Sequence, residues 1–168
     1  MHGRNPHMAD ARAAAGHRSA HEMERLDPFE HGAESMQALA AFGSFPRASK
    51  LEADIIPLAK ARTLQLTGGR YGESECKRMG EGNPALAAKI ARLADWYTSR
   101  AFSERERAAL LWTEDVVYAT HRGVPDMSYA EAARVFPPDE LWAITVTVAS
   151  ECTRAQIAQT FRIAETIG

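Results

Sequence analysis

The stretch Gln65-Leu66-Thr67-Gly68-Gly69-Arg70-Tyr71-Gly72-Glu73-Ser74-Glu75-Cys76 decides how this chain is organised. Upstream of it, apolar residues recur at Leu51, Ile55, Leu58, Ala59 and Leu66 with helical spacing. Gly68, Gly69 and Gly72 end that pattern, because closely spaced glycines favour a turn and weaken a helix interior. A second helix is expected from Glu73 to Met79. The stretch is a joint between two helices, and the rest of the chain reads outward from it.

Downstream, Asn83-Pro84 restarts the chain, and Leu86, Ile90, Leu93 and Tyr97 mark one face of a third helix. Ser103 and Glu106 have capping-box spacing, so each side chain can satisfy an exposed backbone donor at the start of a helix. That helix runs to about His121, with His121 and Arg122 at its negative dipole end and Gly123 as its stop. Its apolar arc is Ala108, Leu111, Trp112, Val116 and Ala119, and Asp115 falls within it. A carboxylate there must be paired, hydrated or neutralised, and Arg62 and Arg154 on other helices are the candidate partners. Ser128 opens a short helix to Val135, Pro137-Pro138 breaks it, and Asp139 to Ile167 reads as helical. Ile144 to Val148 alternates like a strand, but no partner strand exists elsewhere, so the helical reading prevails.

Upstream, Ser49 and Glu52 repeat the capping-box spacing, and Pro57 marks either a second helix start or a kink. A short apolar helix is expected from Glu34 to Phe42, and a glycine-interrupted one from Ala11 to Met23. The fold class is all-α. Residues 1–34 read as a polar leader and residues 35–168 as a single helical domain.

Composition narrows the function. The chain has 168 residues, 45% apolar and 25% charged, which suits one domain with a real core. No apolar run approaches the roughly 20 residues that span a bilayer, and the N-terminus has no apolar signal region. Net charge is −2, and Lys and Arg form no stripe for a nucleic-acid backbone. Membrane and nucleic acid are therefore not expected partners. Cys76 and Cys152 are too few for a disulfide framework, and a cytoplasmic location is the default. No cofactor motif is present. His17 and His21 stand one helical turn apart with Glu24 nearby, but they do not form His-Glu-x-x-His, so no metal site is expected.

Several segments together resemble the AhpD-like superfamily, which includes thiol-dependent alkylhydroperoxidases and carboxymuconolactone decarboxylases. They are Leu58-Ala-Lys-Ala-Arg62 with Gln65, then Phe102-Ser-Glu-Arg-Glu-Arg-Ala-Ala-Leu-Leu-Trp-Thr-Glu114, Val124-Pro125-Asp126 with Tyr129, and Phe136-Pro-Pro-Asp-Glu-Leu141. Arg154 and Phe161-Arg162 close the match. The resemblance implies an all-helical AhpD-like domain that assembles into homo-oligomers. It also implies a Cys-x-x-Cys pair at a helix start, a His shortly after it and a Glu on the preceding helix. Those positions hold Gly69 and Gly72, Cys76, and Pro57. A dithiol reduces peroxide through a thiolate and a resolving thiol, and glycine supplies neither.

The expected function is that of an AhpD-like protein without its dithiol peroxidase centre. Two alternatives stay open: a divergent peroxidase or decarboxylase-like enzyme using other polar residues, and a small-ligand-binding or structural oligomer. Cys76 is the catalytic candidate, since a helix start with Lys77 and Arg78 beside it can lower a thiol pKa, although Glu73 and Glu75 oppose that shift. Gln65, Gly69, Arg70, Gly72 and Asp115 are the pocket candidates. The glycine loop has two readings: backbone donors that cradle an anion, or a turn allowing close backbone approach.

Overall fold

Residues 25–44 and 51–163 are described in a computed structural model, and among them the regular elements are all helical. In chain order these are α1 (Pro28–His31), α2 (Ala33–Ser44), α3 (Ile55–Thr67), α4 (Gly69–Gly80) and α5 (Pro84–Ile90). A 3-10 turn follows at Leu93–Asp95, then α6 (Glu104–Arg122), α7 (Asp126–Val135) and α8 (Pro138–Phe161). The expected helix between Ala11 and Met23, the Ser49 cap, and the pair His17 and His21 lie outside the described residues.

The fold is arranged around α3. Ile55 and Ala59 pack with Trp112, Phe136, Ile144 and Val148 on one side. Leu58 and Ala61 pack with Leu86, Leu93, Trp96 and Leu110 on another. Leu64 joins Met36, Tyr71 and Ala158 in a third cluster. A helix covered on several sides needs no single apolar stripe. Thr63 is tolerated in its interior because its hydroxyl donates to the Ala59 carbonyl at 2.8 Å. Pro57 is the third residue of α3, in the turn whose N–H groups have no intrahelical acceptor, so it marks a start rather than a kink.

The Ser103–Glu106 block is where local sequence and tertiary structure meet. Ser103 Oγ accepts from the Glu106 N–H at 3.2 Å, and Glu106 Oε2 accepts from the Ser103 N–H at 2.8 Å. The other Glu106 oxygen accepts from Lys89 Nζ at 2.6 Å, and Lys89 also donates to Asp54 at 2.6 Å. Arg105 donates to the Val135 carbonyl at 2.9 Å and to Glu140 at 2.6 Å, with its guanidinium 4.8 Å from the Phe136 ring centre. Arg107 donates to the carbonyls of Trp96, Tyr97 and Ser99. The block therefore locks α6 to α5, α7, α8 and the loop before it.

Four expectations shift. Helix α4 begins at Gly69, four residues before Glu73, because the Gly72 N–H reaches the Gly68 carbonyl at 2.9 Å and packing on α3 outweighs glycine's poor propensity. Helix α5 ends at Ile90, and the 3-10 turn then changes the phase, so Trp96 is buried while Tyr97 is 77% exposed. Helix α7 begins at Asp126, two residues before Ser128, directly after Pro125. Helix α8 stops at Phe161: Arg162 takes φ 56°, and the Ile163 N–H returns to the Ala158 carbonyl at 2.8 Å. The stop of α6 is as read, with Gly123 at φ 69° and its N–H on the Ala119 carbonyl. The buried arc of α6 is wider and rotated: Ala109, Leu110 and Thr113 are buried beside Trp112, while Leu111 is exposed.

Candidate functional site

The joint between α3 and α4 is closed by backbone. The Gly68 N–H bonds the Leu64 carbonyl at 2.7 Å and closes the last turn of α3, and Gly69 at φ 49° redirects the chain into α4. A Cβ on Gly72 would meet Leu64 O at 2.5 Å, and one on Gly68 would meet Leu64 O and the Gly72 Cα at 2.6 Å. Gly69 differs: it is exposed, has φ 49°, and a Cβ there meets nothing within 4 Å. Of the two glycines at the resembled cysteine positions, Gly72 has no room for a side chain and Gly69 faces open space.

Cys76 lies one turn beyond Gly72, half-buried, with Sγ 3.6 Å from the Ala61 carbonyl oxygen. Burial first, then the carboxylates of Glu75 and Glu151, push its thiol up to about 11. The direction is opposite to the one its basic sequence neighbours alone would give. Tyr71 shares this corner and is pushed up to about 12 by burial, then by Glu151 and Glu75, against the opposing Arg154. Glu151 is buried on α8 and pairs with Lys60 of α3 at 3.2 Å, and Glu75 pairs with Arg78 of its own helix. The corner thus holds two buried carboxylates, a phenol and a thiol, and it favours the protonated forms of the last two.

The pocket candidates go to different places. Gly69, Arg70 and Gly72 share the first turn of α4, with Cys76 in the next. Gln65, on α3, accepts from Arg62 at 3.2 Å and donates to the Ile90 carbonyl at 3.4 Å. It belongs to a network in which Glu114 accepts from Arg62 Nε at 2.9 Å and from Trp96 Nε1 at 2.7 Å. Asp115 is 5% exposed on α6, where Oδ1 accepts from Arg122 at 3.0 Å and Oδ2 has no hydrogen-bond partner among the described residues. The expected partners Arg62 and Arg154 are thereby corrected: Arg62 serves Glu114, and the cation two turns along the same helix serves Asp115.

Two clefts open beside the joint. One, of about 360 Å³, is lined by Arg70, Tyr71, Gln159 and Arg162 at the start of α4 and the end of α8. The other, of about 450 Å³, lies between α6 and α8 against the end of α3. It holds Cys152 and His121, neither of which the sequence marks as a site: an isolated thiol and a helix-end His are separated by 31 positions. Burial, then Glu151, raises the Cys152 thiol. His121 Nδ1 lies 3.1 Å from Thr120 Oγ1. Both cysteines are free, and among the described residues no three His, Cys, Asp or Glu side chains gather as a metal group. No helix of the described residues is long and apolar enough to cross a membrane.

No protein-family profile and no curated protein matches this chain. Among solved structures it is similar to a protein of unknown function from Agrobacterium tumefaciens, provisionally described as the antioxidant defence protein AhpD. The two are 25% identical, the match covers 87% of this chain and 100% of the other, and the TM-score is 0.71. The chain has the all-helical architecture of the AhpD-like superfamily, at a distance, and its two cysteines, Cys76 and Cys152, form no Cys-x-x-Cys pair.

Proposed function

We propose that this chain is an AhpD-like protein from which dithiol peroxidase chemistry has been removed, and that it works as a small-molecule-binding homo-oligomer. The observation that carries the first part is Gly72, where the second thiol would stand and where the Leu64 carbonyl leaves no space for a Cβ. The surroundings of Cys76 agree: a peroxidatic thiolate needs cationic neighbours or a helix N-terminus, whereas here burial and two acids hold the proton on sulfur. The oligomer is supported by large apolar side chains left exposed on α7 and α8, Met127, Tyr129 and Trp142.

The purified protein is expected to show no thiol-dependent turnover of an alkyl hydroperoxide above the buffer rate. Turnover that disappears in Cys76→Ser would overturn this and make Cys76 the peroxidatic residue of the rival reading, a divergent enzyme.

A further inference from the structure

The cleft of about 450 Å³ between α6 and α8 has the size of a small-molecule site, for which about 300–1,000 Å³ is usual. Leu66, Val116, Val117 and Ala149 contribute apolar surface to it. No Asp, Glu, Lys or Arg lines it, and its one imidazole, His121, lies 3.1 Å from Thr120 Oγ1 through Nδ1. A ligand of fixed charge would lose water there without gaining a permanent counter-charge. Tyr118 and Thr120 add hydroxyls towards the α6 side, and the remaining polar groups are specific. Thr67 and Thr153 both line the cleft, and each hydroxyl already donates to its own helix, to Thr63 O at 2.7 Å and Ala149 O at 3.0 Å. Their protons are committed, so towards the cleft they present lone pairs. Gln156 adds an amide with both a donor and an acceptor.

From this we propose that the α6–α8 cleft binds a neutral, largely apolar small molecule that carries a hydroxyl donor, of the phenol or alcohol class. The proposal deepens the ligand-binding part of the function above and names its site. The hydroxyl of such a ligand donates to Thr153, Thr67 or the Gln156 carbonyl, while its ring or chain covers the valines and Ala149. The cleft is distinct from the exposed apolar side chains of α7 and the first turns of α8, which protrude and suit a second copy of the chain. Cys152 stands on the cleft wall as a built-in reporter.

The probe is 2-naphthol, with naphthalene-2-sulfonate as its charged counterpart. Equilibrium dialysis of the full chain should give saturable binding of one 2-naphthol per chain, and at least tenfold weaker binding of the sulfonate. Ala149→Trp, at an exposed position that needs no repacking of the core, should weaken 2-naphthol binding at least tenfold. Thr153→Phe, one turn along and also exposed, provides a second blocking variant, and circular dichroism checks that both fold. In a Cys76→Ser background, saturating 2-naphthol should slow maleimide labelling of Cys152 severalfold. Non-saturable binding, equal binding of the sulfonate, or binding untouched by both blocking variants would overturn the proposal. So would a fall in the solution mass of Ala149→Trp, which would make the cleft a contact between copies. Peroxide turnover is measured separately, so loss of this proposal leaves the loss of peroxidase chemistry to stand or fall on its own.

Discussion

Replacing Gly72 by alanine tests the closed joint directly. The added Cβ would sit 2.5 Å from Leu64 O and 3.1 Å from the Leu64 carbonyl carbon. A carbon–oxygen contact relaxes at about 3.3 Å, so the start of α4 must withdraw from α3 by roughly 0.8 Å. Both obstructing atoms are backbone, held within the helical hydrogen bonding of α3, so no side chain can swing away to make room. Overpacking of this kind costs about 1–3 kcal/mol. Alanine returns up to about 1 kcal/mol through its better helix propensity. From the central cost of about 2 kcal/mol the net loss is about 1–2 kcal/mol, which for a chain of this length lowers Tm by about 2–8 °C. Gly69→Asn is the control: the site is exposed and open, and asparagine tolerates φ 49°. Some strain remains at that φ even for asparagine, so the variant should cost no more than about 1 kcal/mol and less than Gly72→Ala. Urea unfolding followed by far-UV circular dichroism measures both variants. A Gly72→Ala protein as stable as the parent would show that α4 moves freely on α3 and would remove the steric argument. The double variant Gly69→Cys, Gly72→Cys should then be assayed with peroxide, and it is expected to stay inactive.

Two further outcomes follow from the same geometry. At pH 8 the folded Cys76 thiol, with its pKa pushed from 9.0 to about 11, should react with iodoacetamide about a hundredfold more slowly than a free thiol of the ordinary value, since two pKa units remove that fraction of thiolate. Its rate should still be climbing between pH 9 and 10 and should rise in Glu75→Gln; a plateau below pH 9 would refute the buried, acid-flanked environment. Light scattering should give a mass above one 18.5 kDa chain, and Trp142→Glu, at a side chain 66% exposed, should lower it; a concentration-independent monomer in the parent would refute the assembly.

What the sequence makes legible is what depends on short-range hydrogen bonding. Ser103 and Glu106 announce a cap because each donor finds its acceptor within three residues, and Gly123 announces a stop because few other residues accept its φ. The start of α4 is hidden because three glycines look like a turn until α3 lies against them. The partner of Asp115 is hidden for another reason. Arg122 lies two helical turns further on, beyond the near-neighbour spacings that sequence arguments use, while the more obvious Arg62 is drawn to Glu114 by a network that includes Trp96. The cleft of His121 and Cys152 carries no local signal, since it exists only once α6 and α8 are side by side.

The segment that most resembles the AhpD-like superfamily is also the one whose side chains do structural work. Arg105 and Arg107 cap carbonyls, Glu106 caps its own helix and holds Lys89, and Glu114 ties Arg62 to Trp96. Among the hydrogen bonds and ion pairs of this network none involves Gly69, Gly72 or Cys76. This network therefore ties the helices together without drawing on those positions, whereas the close contact of α4 on α3 does depend on Gly72. The buried acids Glu75 and Glu151 are each held by a cation, Glu75 by Arg78 and Glu151 by Lys60 at 3.2 Å. Both acids raise the thiol of Cys76 one turn beyond Gly72, so a cysteine restored at Gly72 would stand beside a corner that favours protonated sulfur, while one at Gly69 would face open space.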